Sequence, residues 1–191
     1  MVYTDEDSDE AHFNQVEEVI YRLHSAELQG DIKKSRFNVQ TVNYLGMIIE
    51  AGQGVRVDPE KVKAILDWDF KDLCSKTAIR SFLGLCNYIR VFCHHASGVA
   101  ELLTCLLKKD APLDLGPEQE EAFERLKKLA VHAPILGFFV PGRETKVETD
   151  ASCNATGGII LQKQEDGTTW KPVGYFSKTM TLAERAYPIQ D

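Results

Sequence analysis

The sequence predicts an α+β fold, with helices filling most of the first two-thirds of the chain and a small antiparallel sheet following them. Three observations carry this. Apolar residues recur at helical spacing in five stretches between residues 13 and 129. Past Pro134 the period changes from helical to extended. An Asp166-Gly167 pair, a strong hairpin signal, then separates the last two extended runs. At 191 residues the chain can bury a sizeable core in one or two compact units.

Each element follows from local chemistry. Phe13, Val16, Val19, Ile20, Leu23 and Leu28 give an amphipathic helix, with acids ahead of it to favour its N-terminal end and Gly30 as its stop. Val42 to Ile49 reads as a strand, and Gly52 and Gly54 close a turn behind it. Gly46 within that run marks either a bulge or the close approach of another backbone or a ligand. Asp58-Pro59-Glu60 starts a helix, with a capping acid and a first-turn proline, and Val62, Ile65 and Leu66 supply its buried stripe. A second helix is expected from about Ser75 to Phe92, its apolar face formed by Ile79, Phe82, Leu83 and Cys86. Ser97 is expected to cap a third, carrying Ala100, Leu103, Leu106 and Leu107, so that three short helices form a bundle. Pro117 opens a fourth through Phe123, Leu126 and Leu129, and Pro134 ends it. The extended runs are Lys146–Thr149 leading into Asp150, Gly158–Leu161, and Val173–Phe176. Residues 182–191 read as the first turns of a helix that the chain end cuts short.

Composition narrows the function classes. No apolar run approaches the roughly 20 residues of a membrane span, and the N-terminus has neither a basic nor an apolar signal region, so an intracellular protein is expected. Five cysteines include no C-x-x-C pair. Cys93-His94-His95 lacks the paired spacing of a zinc site, and reduced intracellular cysteines account for it better. The net charge of -7 is localised: residues 1–30 hold eight acids against Arg22 alone, and the remainder is balanced. Residues 71–109 carry six basic and two acidic side chains, a modest electrostatic footprint for a polyanion.

An ordered set of motifs adds identity to this outline. Tyr44-Leu45-Gly46, Asp58-Pro59-Glu60-Lys61-Val62 and Arg80-Ser81-Phe82-Leu83-Gly84-Leu85-Cys86-Asn87-Tyr88 come first. Glu118 to Phe123, Ala133-Pro134-Ile135-Leu136, Glu148-Thr149-Asp150-Ala151-Ser152 and Leu182-Ala183-Glu184-Arg185 follow. Together they resemble the polymerase polyprotein of gypsy-type LTR retrotransposons over nearly the whole chain. The resemblance implies three parts: residues 1–57 as the end of a reverse transcriptase palm, 58–112 as a helical thumb, and 113–191 as the first part of an RNase H-like domain.

The resemblance also implies where the chemistry lies. The family's polymerase motif Y-x-D-D holds two magnesium ions, which activate the primer 3′-hydroxyl and stabilise the leaving pyrophosphate. Tyr3-Thr4-Asp5-Glu6 imitates it, but the interval to His12 is too short, and Val2-Tyr3-Thr4 fits the strand after the motif instead. Tyr44, Leu45 and Gly46 resemble the primer grip, a hairpin whose backbone positions the primer end. Arg80, Gly84, Asn87 and Tyr88, three to four residues apart, resemble the thumb helix face that lies along the minor groove of a template–primer duplex, with Arg90 beyond it. Such a face reads shape through sugar and phosphate contacts. Ile89 and Val91 depart from the family's aromatic and basic residues, which implies weaker binding at Arg90.

Asp150 resembles the first carboxylate of the RNase H site, where several acids together hold Mg2+. One carboxylate does not organise two metal ions, so the resemblance implies Mg2+ in an intact parent enzyme and none in this chain alone. The expected partner is an RNA–DNA hybrid or template–primer duplex, bound without catalysis. A non-enzymatic nucleic-acid-binding relic or domesticated protein and a pseudogene product without function are the other readings; the sequence leaves oligomeric state open.

Overall fold

A computed structural model describes residues 8–151 and 155–186 of the chain. The described part is α+β, with helices and two three-stranded antiparallel sheets. Residues 1–39 and 40–191 form two compact units.

The described part of the first unit is built on α1 (Asp9–Ser25), which Ser8 caps by accepting from the Ala11 amide. Its apolar stripe is not a core: Phe13, Ile20, Leu23 and Leu28 are all exposed. Gly30 is not its stop either. Glu27 adopts a left-handed φ of 58°, and the Leu28 amide donates back to Leu23 O at 2.9 Å, so the helix closes three residues before the glycine. The acidic Tyr3–Glu6 motif lies outside the described residues.

The second unit opens with β1 (Thr41–Tyr44), β2 (Met47–Glu50) and β3 (Gly54–Val57), in the order β1-β2-β3. The run 42–49, a single strand by its local pattern and a hairpin by its resemblance to the primer grip, is therefore a hairpin. Tyr44 pairs with Met47, and the two residues between them, Leu45 and Gly46, both have positive φ (51° and 78°). That geometry belongs to the two-residue turn matching the twist of paired strands, and it favours glycine at its second position. β3 was not expected; its Gly54 has a physical reason. The amide and carbonyl of Val55 bond Leu136 at 2.8 and 2.9 Å, and a Cβ on Gly54 would lie 2.0 Å from the Leu136 oxygen.

Helices α2 (Pro59–Leu66), α3 (Lys76–Cys86), α4 (Ala96–Cys105) and α5 (Pro117–Val131) enclose the core. Asp58 caps α2 through the Glu60 amide and Ser75 caps α3 through the Ala78 amide. Ile65, Ile79, Phe82, Leu103, Phe123 and Leu126 are almost wholly buried, while Leu66, expected inside, is exposed. Phe82 and Phe123 stack with centroids 4.6 Å apart, and Trp68 and Phe70 flank them at 5.8 and 5.7 Å. Helix α5 lies past residue 112, yet its apolar face completes the core of the helices before it.

Helix α3 ends at Cys86, not near Phe92. The chain tightens there into i→i+3 bonds, from Tyr88 N to Leu85 O and Ile89 N to Cys86 O, and then a 3-10 turn at Arg90–Phe92. This turn drives Ile89 and Phe92 into the core. Ser97 does not cap α4. His95 holds that place with φ 58°, and Ser97 instead joins the sheet: its amide donates to Ser177 Oγ at 3.0 Å and its hydroxyl to Ser177 O at 2.9 Å.

Strands β4 (Thr145–Ala151), β5 (Ala155–Lys163) and β6 (Trp170–Thr179) form the second sheet, with β5 central. Asp166 shapes the β5–β6 turn, accepting first from the Thr169 hydroxyl and then from the Thr169 and Thr168 amides, which holds its carboxyl down at about 2. Gln162 is fully buried with its amide satisfied by Val140 N, Val140 O and Thr145 Oγ1 at 2.8–3.0 Å. A short helix α6 (Leu182–Arg185) follows, and Arg185 pairs with Glu101 of α4.

Removing the Phe123 ring should cost about 3–5 kcal/mol, the usual effect of truncating a buried phenylalanine, and Phe123→Ala will show it as a lowered urea midpoint. Burial pushes the Cys86 thiol up to about 12 and the Cys93 thiol to about 11. At pH 8 iodoacetamide should therefore modify exposed Cys74 first, with Cys86 and Cys93 reacting only on unfolding, as peptide mapping will report.

Candidate nucleic-acid interface

Two surfaces that are far apart in sequence meet at Gly46. The Tyr88 ring lies directly over this glycine: a Cβ there would stand 2.7 and 2.8 Å from Tyr88 Cδ1 and Cε1. Real Cβ contacts are not that short, so the ring needs a glycine beneath it. Gly46 is thus a turn residue and not a bulge, and what approaches it is the Tyr88 side chain, not a backbone or a ligand. Gly46 O also accepts from the Asp58 amide at 3.2 Å, which ties the hairpin tip to the start of α2. Lys61, one turn into α2, places its ammonium 4.9 Å from the Tyr88 ring centroid.

The hairpin tip and the end of α3 therefore form one continuous surface. Tyr44 and Leu45 are exposed on it beside Tyr88, as are Arg80, Gly84, Asn87 and Arg90 along α3 and the turn after it. Nothing lies within 4 Å of a Cβ placed on Gly84. No packing inside the described chain explains a glycine there, although one in a helix interior costs about 1 kcal/mol relative to alanine. Ile89, by contrast, is fully buried. Its departure from the family pattern is a core difference and does not act on Arg90 through the surface. Val91 is exposed.

Asp150 stands apart from this surface, near the end of β4 and opposite Gly157 of β5. It is exposed, and His95 Nε2 is 3.3 Å from its Oδ2. The left-handed turn at His95 aims that imidazole back toward the sheet. His94 meets the His95 ring edge-on at 3.8 Å between centroids. Burial and the neighbouring His95 lower the His94 pKa against an opposing pull from Asp150, which keeps His94 neutral near pH 7. Tyr175, 6.2 Å from His94 between centroids, has its phenol raised by burial and then by Cys93. Among the described residues no group of three or more histidine, cysteine, aspartate or glutamate side chains gathers to hold a metal ion. Asp150 and one imidazole do not fit the oxygen-rich shell that Mg2+ requires.

Sequence reasoning singled out neither Lys61 nor His95. Lys61 lay inside a quoted motif, but its approach to Tyr88 depends on how the hairpin seats α2. His95 was weighed only as a zinc ligand, and its carboxylate partner lies 55 positions away in the chain.

The comparisons agree with this architecture. Residues 115–191 match the family described as the RNase H-like domain found in reverse transcriptase. Across 184 residues, 96% of its length, the chain is 33% identical to the transposon Tf2-3 and Tf2-4 polyproteins of Schizosaccharomyces pombe, and it spans 14% of each. A foamy viral protease-reverse transcriptase in complex with double-stranded DNA superposes with a TM-score of 0.75 at 22% identity, over 98% of this chain and 33% of that one. The same viral enzyme in complex with RNA/DNA hybrid gives 0.71 at 22% identity, over 98% of this chain and 26% of that one. The fold is thus like that of a portion of these viral enzymes, with an RNase H-like part at residues 115–191. More particularly, the chain is similar to one segment of the Tf2 retrotransposon polyproteins.

Gly46→Ala should force the Tyr88 ring aside and strain the turn, costing at least about 1 kcal/mol for a side chain at positive φ. The check is a thermal melt together with loss of the ring-current shift that Tyr88 imposes on the protons of the turn beneath it.

Proposed function

We propose that this chain is the duplex-holding portion of a gypsy-type retrotransposon reverse transcriptase, and that it binds RNA–DNA hybrid or template–primer duplex along the hairpin tip and α3. The observation that carries this reading is the Tyr88 ring seated on Gly46, which fuses the primer-grip-like turn and the thumb-like helix into one exposed surface. An aromatic, an amide and cations along a rod-like face suit a duplex whose sugars and phosphates are read by shape. Gly84 supports the same reading, because a helix that must lie against a sugar–phosphate surface gains from a position without a side chain. The gypsy-type parentage rests on the order of the seven motifs and on the similarity to the Tf2 polyproteins.

Catalysis is not assigned to these residues. In a complete RNase H-type site Asp150 would contribute one carboxylate of the shell that holds Mg2+, and the metal would supply the activation of water for cleaving the RNA strand. The pair formed by Asp150 and His95 does not meet that requirement alone. The proposed role in the parent reaction is to hold the hybrid, at an intracellular site.

Fluorescence anisotropy with a labelled 18-base-pair RNA–DNA hybrid tests this directly. Tyr88→Ala should weaken binding about tenfold, or about 1.4 kcal/mol, because it removes the ring's own contact and unseats the turn that the ring holds on Gly46. Gly84→Ala should move two readouts in opposite directions: about 1 kcal/mol more stability, and weaker hybrid binding. Equal hybrid affinity in both variants and the unaltered chain would sink the proposal.

A further inference from the structure

Resting on the reading of α3 as a duplex-facing helix, we infer that Lys108 and Lys109 form, with Arg80, a phosphate-binding ledge that extends this face past its N-terminal end. Lys76 is the first residue of α3, where the helix dipole disfavours a cation, and the first turn holds no acid to offset it. Its ammonium is turned to another use. It donates to Lys108 O at 2.7 Å and lies 3.4 Å from Lys109 O. Those carbonyls follow the C-terminus of α4 at Cys105, the end of a helix that attracts positive charge. The Lys76 bond therefore pins the turn after α4 against the start of α3, and Lys108 and Lys109 are exposed there. Arg80 is exposed one turn further along α3.

These cations differ from those of the second sheet. There Lys146 pairs with Glu148, Lys163 with Glu144 and Lys178 with Glu184, while Lys171 donates to Gln53 O. Among the described residues no carboxylate pairs with Arg80, Lys108 or Lys109. Asp110 is the nearest acid in sequence, and it too is exposed. Residues 40–191 contain 20 acidic and 18 basic side chains, so an unpaired basic edge is not the by-product of a basic domain. Its site also fits a duplex. Helix α3 is about 15 Å long at 1.5 Å per residue, a reach of roughly four phosphates per strand at one per 3.4 Å. Tyr88 would then meet the duplex at one end of that reach and the lysine ledge at the other.

The test is the salt dependence of hybrid binding by the full chain, measured for the unaltered protein, K108A/K109A, K108R/K109R and the control K33A/K34A. Each phosphate neutralised contributes about 0.9 to the slope of log affinity against log salt. K108A/K109A should therefore reduce the slope by about 1.8, while K108R/K109R and K33A/K34A keep it. An unchanged slope in K108A/K109A, or an equal fall in K33A/K34A, overturns the ledge and leaves duplex binding standing. Failure of the unaltered chain to bind hybrid at any salt overturns the duplex-holding reading and the ledge with it. Equal competition by a polyglutamate peptide would show a general acidic-surface site and overturn the assignment to phosphate.

Discussion

The stacking of Phe123 on Phe82 is the constraint on which the remainder of the second unit depends. It brings α5 back across α3, and everything after α5 is positioned from there. Leu136 reaches β3 because Pro134 ends the helix beside it, and Ser97 meets Ser177 because α4 is already locked under α5. Two buried bonds, both donated by Ser97 to Ser177, then fix β6 on the helices. The surface proposed to hold nucleic acid inherits its rigidity from this arrangement. Arg80 and Gly84 lie on the outward side of the helix whose inward side carries Phe82, so their spacing is set by the core.

Much of this was legible in the sequence where local chemistry decides. Asp58-Pro59 and Ser75 marked helix starts because a capping oxygen needs only the next two or three residues. Asp166-Gly167 marked its turn for the same reason. Misreadings gathered where a distant partner decides. Ser97 looked like a cap and instead serves a strand 80 residues away. The long helix expected to Phe92 ends at Cys86, where the chain passes into i→i+3 turns that keep Ile89 and Phe92 buried. The apolar stripe of α1 carried a clean helical period, which fixed the helix but not its burial.

The candidate interface divides in the same way. The exposure of Arg80, Gly84 and Asn87 follows from their period against the buried Ile79, Phe82 and Cys86 and could be read directly, whereas Tyr88 by itself reads as a core aromatic and only the family resemblance put it on the surface. Their junction with Leu45-Gly46 could not, since two consecutive positive φ values within an apolar run resemble an uninterrupted strand. Lys61 and His95 were hidden for a related reason. Each acts across a boundary between elements, on an aromatic ring in one case and on a carboxylate in the other.

Strand β4 carries a consequence of its own. Among the described residues it pairs with β5 alone, and every one of its residues is exposed, so it is the edge strand of the described sheet. Such an edge invites a second chain to add itself. Here Lys146, Glu148 and Asp150 alternate along one face, so a copy of the strand laid against it would bring charged side chains into close register. The same acid that resembles a metal ligand thus also belongs to a charged row of the kind that discourages strand addition along an exposed edge.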